Sequence, residues 1–224
     1  MRTLDIAPLI LAQRGDLIAL NKPYDWPTTG RSLQDDDCVQ YHMMQHFGQM
    51  VWAVHQLDAD TSGLCLFSLD KQLVTDLQAI WRDPAMRKDY LCIVKGEPAW
   101  DRIDEESPIG KVDERSLGVT PDGKPAHTRF HLLQRNNGYA LLQAQLFTGR
   151  THQIRIHLSH LGHPLLGEEW YTAPPCTLHP RQALHATRIH FPDTAPLDTK
   201  EFSAPLANDL QQLMQRLGLS LPQT

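Results

Sequence analysis

Three polar clusters in this sequence carry side chains able to do chemistry. The first is His55-Gln56-Leu57-Asp58-Ala59-Asp60-Thr61-Ser62-Gly63, two carboxylates and two hydroxyls at the point where an apolar run gives way to turn formers. A carboxylate there can act as a nucleophile, because loops at strand ends are where a rigid scaffold presents reactive groups. The same composition also describes a capped turn. The second cluster is Gly149-Arg150-Thr151-His152-Gln153-Ile154-Arg155-Ile156-His157. Arg155 lies between two isoleucines, and a guanidinium buried at such a place needs a carboxylate partner, for which Asp58 is a candidate. Arg150 falls at the expected start of a helix, where free amides and the dipole favour an anion such as a phosphate. Ordinary surface charge is the competing reading of both arginines. The third cluster, Arg87-Lys88-Asp89-Tyr90, heads a strand. Its tyrosine is either half-buried packing or a platform on which a base can stack.

Metal chemistry fits poorly. His152, His157, His160 and His163 are close in sequence, but they lack the H-E-x-x-H pattern and have no cysteine or acid among them, so polar surface or RNA contact suits them better. Cys38, Cys65, Cys92 and Cys176 are far apart and form no C-x-x-C pair, which points to reduced thiols in a cytoplasmic protein. Cys65 and Cys92 stand inside apolar runs and read as buried hydrophobes.

The elements that must carry these residues follow from periodicity. Residues 16–23 form an apolar run stopped by Pro23, a buried strand leading into a loop. A helix is expected from Ser32 to Phe47, ended by Gly48, and strand character from Met50 to Leu57 and Leu64 to Leu69. Leu73, Leu77, Ile80 and Trp81 share one face of a helix over 70–81. After a strand at 90–94 and an undecided stretch at 99–123, Asn136-Asn137-Gly138 marks a hairpin between strands 126–134 and 139–147. A helix over 151–161, with Thr151 as N-cap and Gly162 as its stop, is followed by strands at 184–191 and 201–202 and a closing helix over 206–217. Hairpins mixed with helices specify an α+β fold on a mostly antiparallel sheet. No stretch approaches the roughly 18 apolar residues of a membrane span, and the opening residues lack an export signal.

With 21 basic and 26 acidic residues the formal net charge is -5, unfavourable for gripping phosphates. The charge is polarised along the chain, however: 149–164 holds Arg150, Arg155 and the four histidines with no acid, whereas acid gathers at Asp35-Asp36-Asp37 and over 101–106.

The motif around Asp58 resembles the H-R-L-D-x-x-T-S-G signature of the RluA type of RNA pseudouridine synthase, and residues 149–167 resemble that family's second long motif almost throughout. Asn21-Lys22-Pro23, Lys88-x-Tyr90, 122–126 and Leu184-His185-Ala186 match weaker features, so the resemblance runs from about Asp16 to Leu206. It implies one catalytic domain over 1–224, a central mixed sheet split by an RNA-binding cleft and flanked by helices. Only about 15 residues precede the first core strand, too few for the S4 RNA-binding domain that many relatives carry. It further implies isomerisation of a uridine in structured transfer or ribosomal RNA, without cofactor or metal, by a monomer. Asp58 matches the nucleophile, Arg155 the arginine that pairs with it and Tyr90 the tyrosine that packs on the target base. Arg150 and Lys22 are assigned to phosphate or structural contacts and Asp60 to the turn. A non-catalytic RNA-binding relative is the alternative. Three places depart from the family pattern: Gln56 for Arg, the segment Trp26-Pro27-Thr28-Thr29, and Glu168 for a frequent Asp. Gln56 can bond base edges but brings no planar cation for stacking, which predicts altered target choice or weaker RNA affinity with the chemistry intact. Gln56→Arg is therefore expected to change affinity or target preference in an RNA gel-shift series; identical binding by both proteins would refute this reading.

Overall fold

Backbone hydrogen bonding in the computed structural model, which describes residues 2–114 and 116–222, sorts the chain into twelve strands and four α-helices. A 3-10 turn at Ala7–Leu9 leads into β1 (Ile10–Arg14) and β2 (Leu17–Lys22). There follow α1 (Val39–Phe47), β3 (Trp52–Ala53), β4 (Ser62–Ser68), α2 (Lys71–Ala79), β5 (Arg87–Lys95), β6 (Arg102–Glu105), β7 (Ile109–Lys111) and β8 (Leu117–Val119). The chain continues through β9 (Thr128–Asn136), β10 (Tyr139–Leu146), α3 (Gln153–His160), β11 (Leu184–His190), β12 (Glu201–Ser203) and α4 (Asn208–Arg216). This is the expected α+β class, with antiparallel ladders and few helices. It divides into two compact units, one made of the residues up to Arg87 with Ala186–Ala207, the other of Lys88–His185 with the segment from Asn208.

In the first unit β2 pairs antiparallel with β1 on one side and with β4 on the other, and β12 pairs with β11. Every residue of β4 is buried, as its unbroken apolar run requires of a strand covered on both faces. Leu17, Ala19, Leu64 and Leu66 meet Val74 and Leu77 of α2 and Phe191 and Phe202 in one core. Asp70 caps α2 by accepting from the amides of Gln72 and Leu73. Gly63 has φ +110, and a Cβ there would lie 2.2 Å from the carbonyl oxygen of Ala186, so the strand entrance after the Asp58 turn admits only glycine.

In the second unit the ladder runs β5-β10-β9-β6. The β9–β10 hairpin turns through Asn137 (φ 49) and Gly138 (φ 82), as the Asn-Gly signal requires. Alternate residues of β10, Ala140, Leu142 and Ala144, pack with Cys92, Val94 and Phe130 under Ile154 and Leu158 of α3. At the far end Arg181 donates from Nε and Nη2 to Asp209, to which the ring of His179 also bonds, tying 179–181 to α4.

Three expectations are corrected, and one strand was not foreseen. The helix expected from Ser32 begins only at Val39, because the Asp35 carboxylate accepts from the amides of Arg31 and Asp37 and closes a local turn instead. Strand character at 50–57 shrinks to two residues. Residues 10–14, not predicted as a strand, form β1. The N-cap of α3 is His152, in the left-handed region at φ 55, rather than Thr151. Among the described residues no helix is long and apolar enough to cross a membrane.

Candidate active site

Asp58 stands between β3 and β4, half-buried, in a turn whose backbone is fixed on both flanks. On its N-terminal side, the Thr28 hydroxyl accepts from the Leu57 amide and donates to the Leu57 carbonyl, both at 3.0 Å. On its C-terminal side, the Ala59 carbonyl accepts from the Trp26 amide at 3.3 Å and from the Lys22 ammonium at 2.9 Å. The turn is closed by the Thr61 amide bonding to the Asp58 carbonyl at 3.0 Å. The loop after β2 thus clasps the two residues next to the candidate nucleophile. A carboxylate held in this way has little backbone freedom to lose on reaching a reactive geometry.

Lys22 is wholly buried, and its ammonium donates to the carbonyls of Pro23, Trp26 and Ala59 at 2.9, 2.7 and 2.9 Å. Those three bonds match the three donors of an ammonium. Its part is to hold the loop and the Asp58 turn together. His55 is held as well: Nε2 accepts from the Leu66 amide at 3.1 Å and the ring stacks on Trp81. Gln56 is exposed on the same turn.

The remaining predicted residues belong to the second unit. Tyr90 is half-buried on β5, opposite Ala144 of β10. Arg150 donates from Nε to the Pro125 carbonyl at 2.9 Å, and its own amide bonds to the Gln153 side chain at 3.0 Å. Gln153 also accepts from the Thr148 hydroxyl and donates to the His127 carbonyl and Thr128 hydroxyl, bracing the start of α3 through the interior.

Arg155 is buried, and the carboxylate that its burial calls for is supplied by Glu168, itself fully buried. Nε and Nη2 donate to the two carboxylate oxygens at 2.8 and 2.9 Å, the bidentate fork that only arginine offers. The Glu168 oxygen also accepts from the amides of Trp170 and Tyr171, whose rings cover the guanidinium at 4.9 and 5.2 Å. Burial alone would push the Glu168 carboxyl up, but the bonds and charge of Arg155, with the two amides, outweigh it and hold the group below the usual glutamate range. Gly167 makes the inward turn of Glu168 possible, since at φ +81 a Cβ would meet the Arg181 carbonyl oxygen at 1.8 Å.

Sequence reasoning noticed Glu168 only as a departure and did not find this pair, because 13 residues and a loop separate the partners. Thr28 was missed likewise, inside a segment noticed only for its unfamiliar sequence. The polarised run at 149–164 is also less basic at the surface than its composition suggests. Arg155 and His157 are buried, the latter between the Thr128 hydroxyl and the Ser107 carbonyl, and burial lowers its pKa. Among the described residues, no three His, Cys, Asp or Glu side chains gather as a metal site would require.

The family model for RNA pseudouridylate synthase matches residues 16–160. The chain is 41% identical over 167 residues to an uncharacterized RNA pseudouridine synthase of Chloroflexus aurantiacus, covering 73% of this chain and 52% of that protein. It is 30% identical over 226 residues to a ribosomal large subunit pseudouridine synthase C of Vibrio vulnificus, covering 96% and 71%. The chain thus spans about half the length of several of the curated relatives it matches. The solved structure of human RNA Pseudouridylate Synthase Domain Containing 4 shares the fold, with a TM-score of 0.78 at 22% identity over 97% of this chain and 96% of that one.

Glu168→Gln removes the charge while keeping the shape. The unfolding free energy at neutral pH is expected to fall by on the order of 3 kcal/mol, as for other broken buried pairs. Because the folded-state pKa is depressed, the wild-type contribution is complete above the unfolded value of about 4.3 and is lost as pH falls through the folded one. Urea titrations at a series of pH values should show a constant gap above about pH 5 that narrows on acidification; a gap independent of pH would show that the charge is not what matters.

Proposed function

The chain belongs to the RNA pseudouridylate synthase family, and we propose that it converts a uridine within transfer or ribosomal RNA to pseudouridine, with Asp58 as the nucleophile. The observation that carries this reading is the clasped Asp58 turn, a carboxylate at a strand entrance fixed through both neighbouring residues and lying inside the stretch that matches the family. A turn formed only by local propensity would not need a buried lysine and a buried threonine hydroxyl from another loop to hold it.

The reaction breaks the bond from N1 of uracil to C1′ of the ribose, turns the base and joins C5 to C1′. N1 ends with a hydrogen and C5 gives its hydrogen to solvent as a proton, so atoms balance with no redox change. The carboxylate of Asp58 either adds to C1′ or to C6, or assists formation of a glycal. Tyr90 is the ring against which the detached uracil rests, and Arg155 supplies the positive charge, kept in place by Glu168. The uridine must first leave its stack, at a cost of a few kcal/mol that is least in loops and bulges, which favours structured RNA as the substrate. Gln56 is a contact to RNA, and Lys22 acts through the turn it holds. The names of the matched relatives refer to the large ribosomal subunit or leave the target open, so ribosomal RNA is the first substrate to try.

Incubation with unmodified ribosomal and transfer RNA carrying 5-tritiated uridine should release tritium to solvent with the wild type and reduce release by at least about a thousandfold with Asp58→Asn, the scale seen when a covalent nucleophile is lost. Retention of tritium by a folded wild type bound to both RNAs would favour a non-catalytic RNA-binding protein instead.

A further inference from the structure

Trp170 is the most exposed large hydrophobic side chain among the described residues, at 69%. Position alone does not explain it, because the ring is held rather than trailing in solvent. Its amide donates to the Glu168 carboxylate at 2.9 Å, the Tyr171 amide donates to the same oxygen at 3.3 Å, and the Tyr171 hydroxyl meets Nδ1 of His152 at 2.5 Å. One face of the indole lies against the Arg155 guanidinium, 4.9 Å from the ring centroid, and the His152 ring flanks it at 5.4 Å with a 54° tilt. The residue follows the stretch 16–160 that matches the family model. What results is a rigid aromatic plate with a cation beneath it and an apolar surface turned to water.

We infer that the Trp170 indole is a stacking platform for a nucleobase of the bound RNA other than the reacting uridine, and so a specificity-determining contact. The inference rests on the reading of this chain as an RNA-modifying enzyme and assigns that RNA an additional contact. Bases unstacked from single-stranded loops are commonly taken up on aromatic side chains, and an arginine plane adds to such a stack. The plate is formed before the ligand arrives, so stacking does not have to order the loop that carries it. Charge makes this contact useful. The chain carries a net -5, and Arg155, one of the two arginines of its most basic run, is buried. Affinity has to come in part from contacts that do not depend on phosphates, and stacking is one. A protein partner fits less well, because one indole beside the exposed charge of Glu169 is not the contiguous apolar area that such interfaces bury.

Trp170 is one of five tryptophans. Protein labelled with 5-fluorotryptophan therefore identifies its fluorine resonance as the one missing from Trp170→Phe. A short RNA hairpin with uridines and a purine in its loop should shift that resonance, whereas the same hairpin with abasic loop nucleotides should not. In fluorescence anisotropy, Trp170→Ala should bind the base-bearing hairpin about tenfold more weakly, by the same factor at roughly 50 and 200 mM salt, and Trp170→Phe should lose far less. On the abasic hairpin all three proteins should bind alike. A Trp170 resonance unmoved by saturating hairpin overturns the inference, as does an equal loss by Trp170→Ala on both hairpins, which would mark the indole as support for Arg155. Tritium release by the wild type judges catalysis separately: release with an unmoved resonance defeats the platform alone, and a shifted resonance without release keeps the platform and defeats the isomerase reading.

Discussion

An ammonium taken wholly out of water must find an acceptor for each of its protons, and in this protein the acceptors chosen by Lys22 determine where Asp58 stands. The three carbonyls it meets come from its own neighbour Pro23, from the loop at Trp26 and from the turn at Ala59. These charge-assisted bonds offset the cost of burying the cation. Loss of any one acceptor would leave a buried donor unsatisfied, which is why the end of β2, the loop and the turn behave as one piece. Thr28 adds the second fastening at Leu57. Between them, the residues before and after Asp58 are tied to a strand that is itself buried in the core.

The second buried cation is handled differently. Arg155 receives a carboxylate, in the bidentate geometry that makes such a pair tolerable in the interior. Glu168 in turn is kept ionised by that guanidinium and by two amides of its own loop. The fold thus holds the Asp58 turn through an ammonium bonded to backbone carbonyls in one unit, and the start of the Glu168 loop through a bidentate ion pair in the other. Both leave polar groups whose positions are fixed by the fold itself. The exposed indole of Trp170 belongs to the same loop, whose amides bond to Glu168 and whose rings lie over Arg155.

Much of this was legible in the residues. Asn137-Gly138 specified the hairpin, since few residues accept the positive φ of such a turn, and the apolar run at 64–69 specified a covered strand. The motifs around Asp58 and Arg155 marked candidate residues by type and spacing, and their proposed roles came from the family resemblance. What escaped was everything settled through space. The helix expected from Ser32 was shortened by one side chain, Asp35, bonding to nearby amides. The start of α3 was fixed not by the hydroxyl of Thr151 but by Gln153 reaching to the hairpin. Glu168 and Thr28 act on partners 13 and 29 residues away, distances at which spacing carries no pattern. Burial likewise changed the meaning of His157, which read as polar surface or an RNA contact and is an interior group in the fold.

The proposed role of Asp58 as the nucleophile of a uridine isomerase can be read from the product. RNA treated with the wild type, Asp58→Asn or Asp60→Asn can be digested to nucleosides and separated by liquid chromatography with mass detection. The expected product has the mass of uridine but a carbon–carbon glycosidic link that survives fragmentation. This nucleoside is expected from the wild type and from Asp60→Asn, and none from Asp58→Asn. The same nucleoside in equal yield from Asp58→Asn would contradict that role.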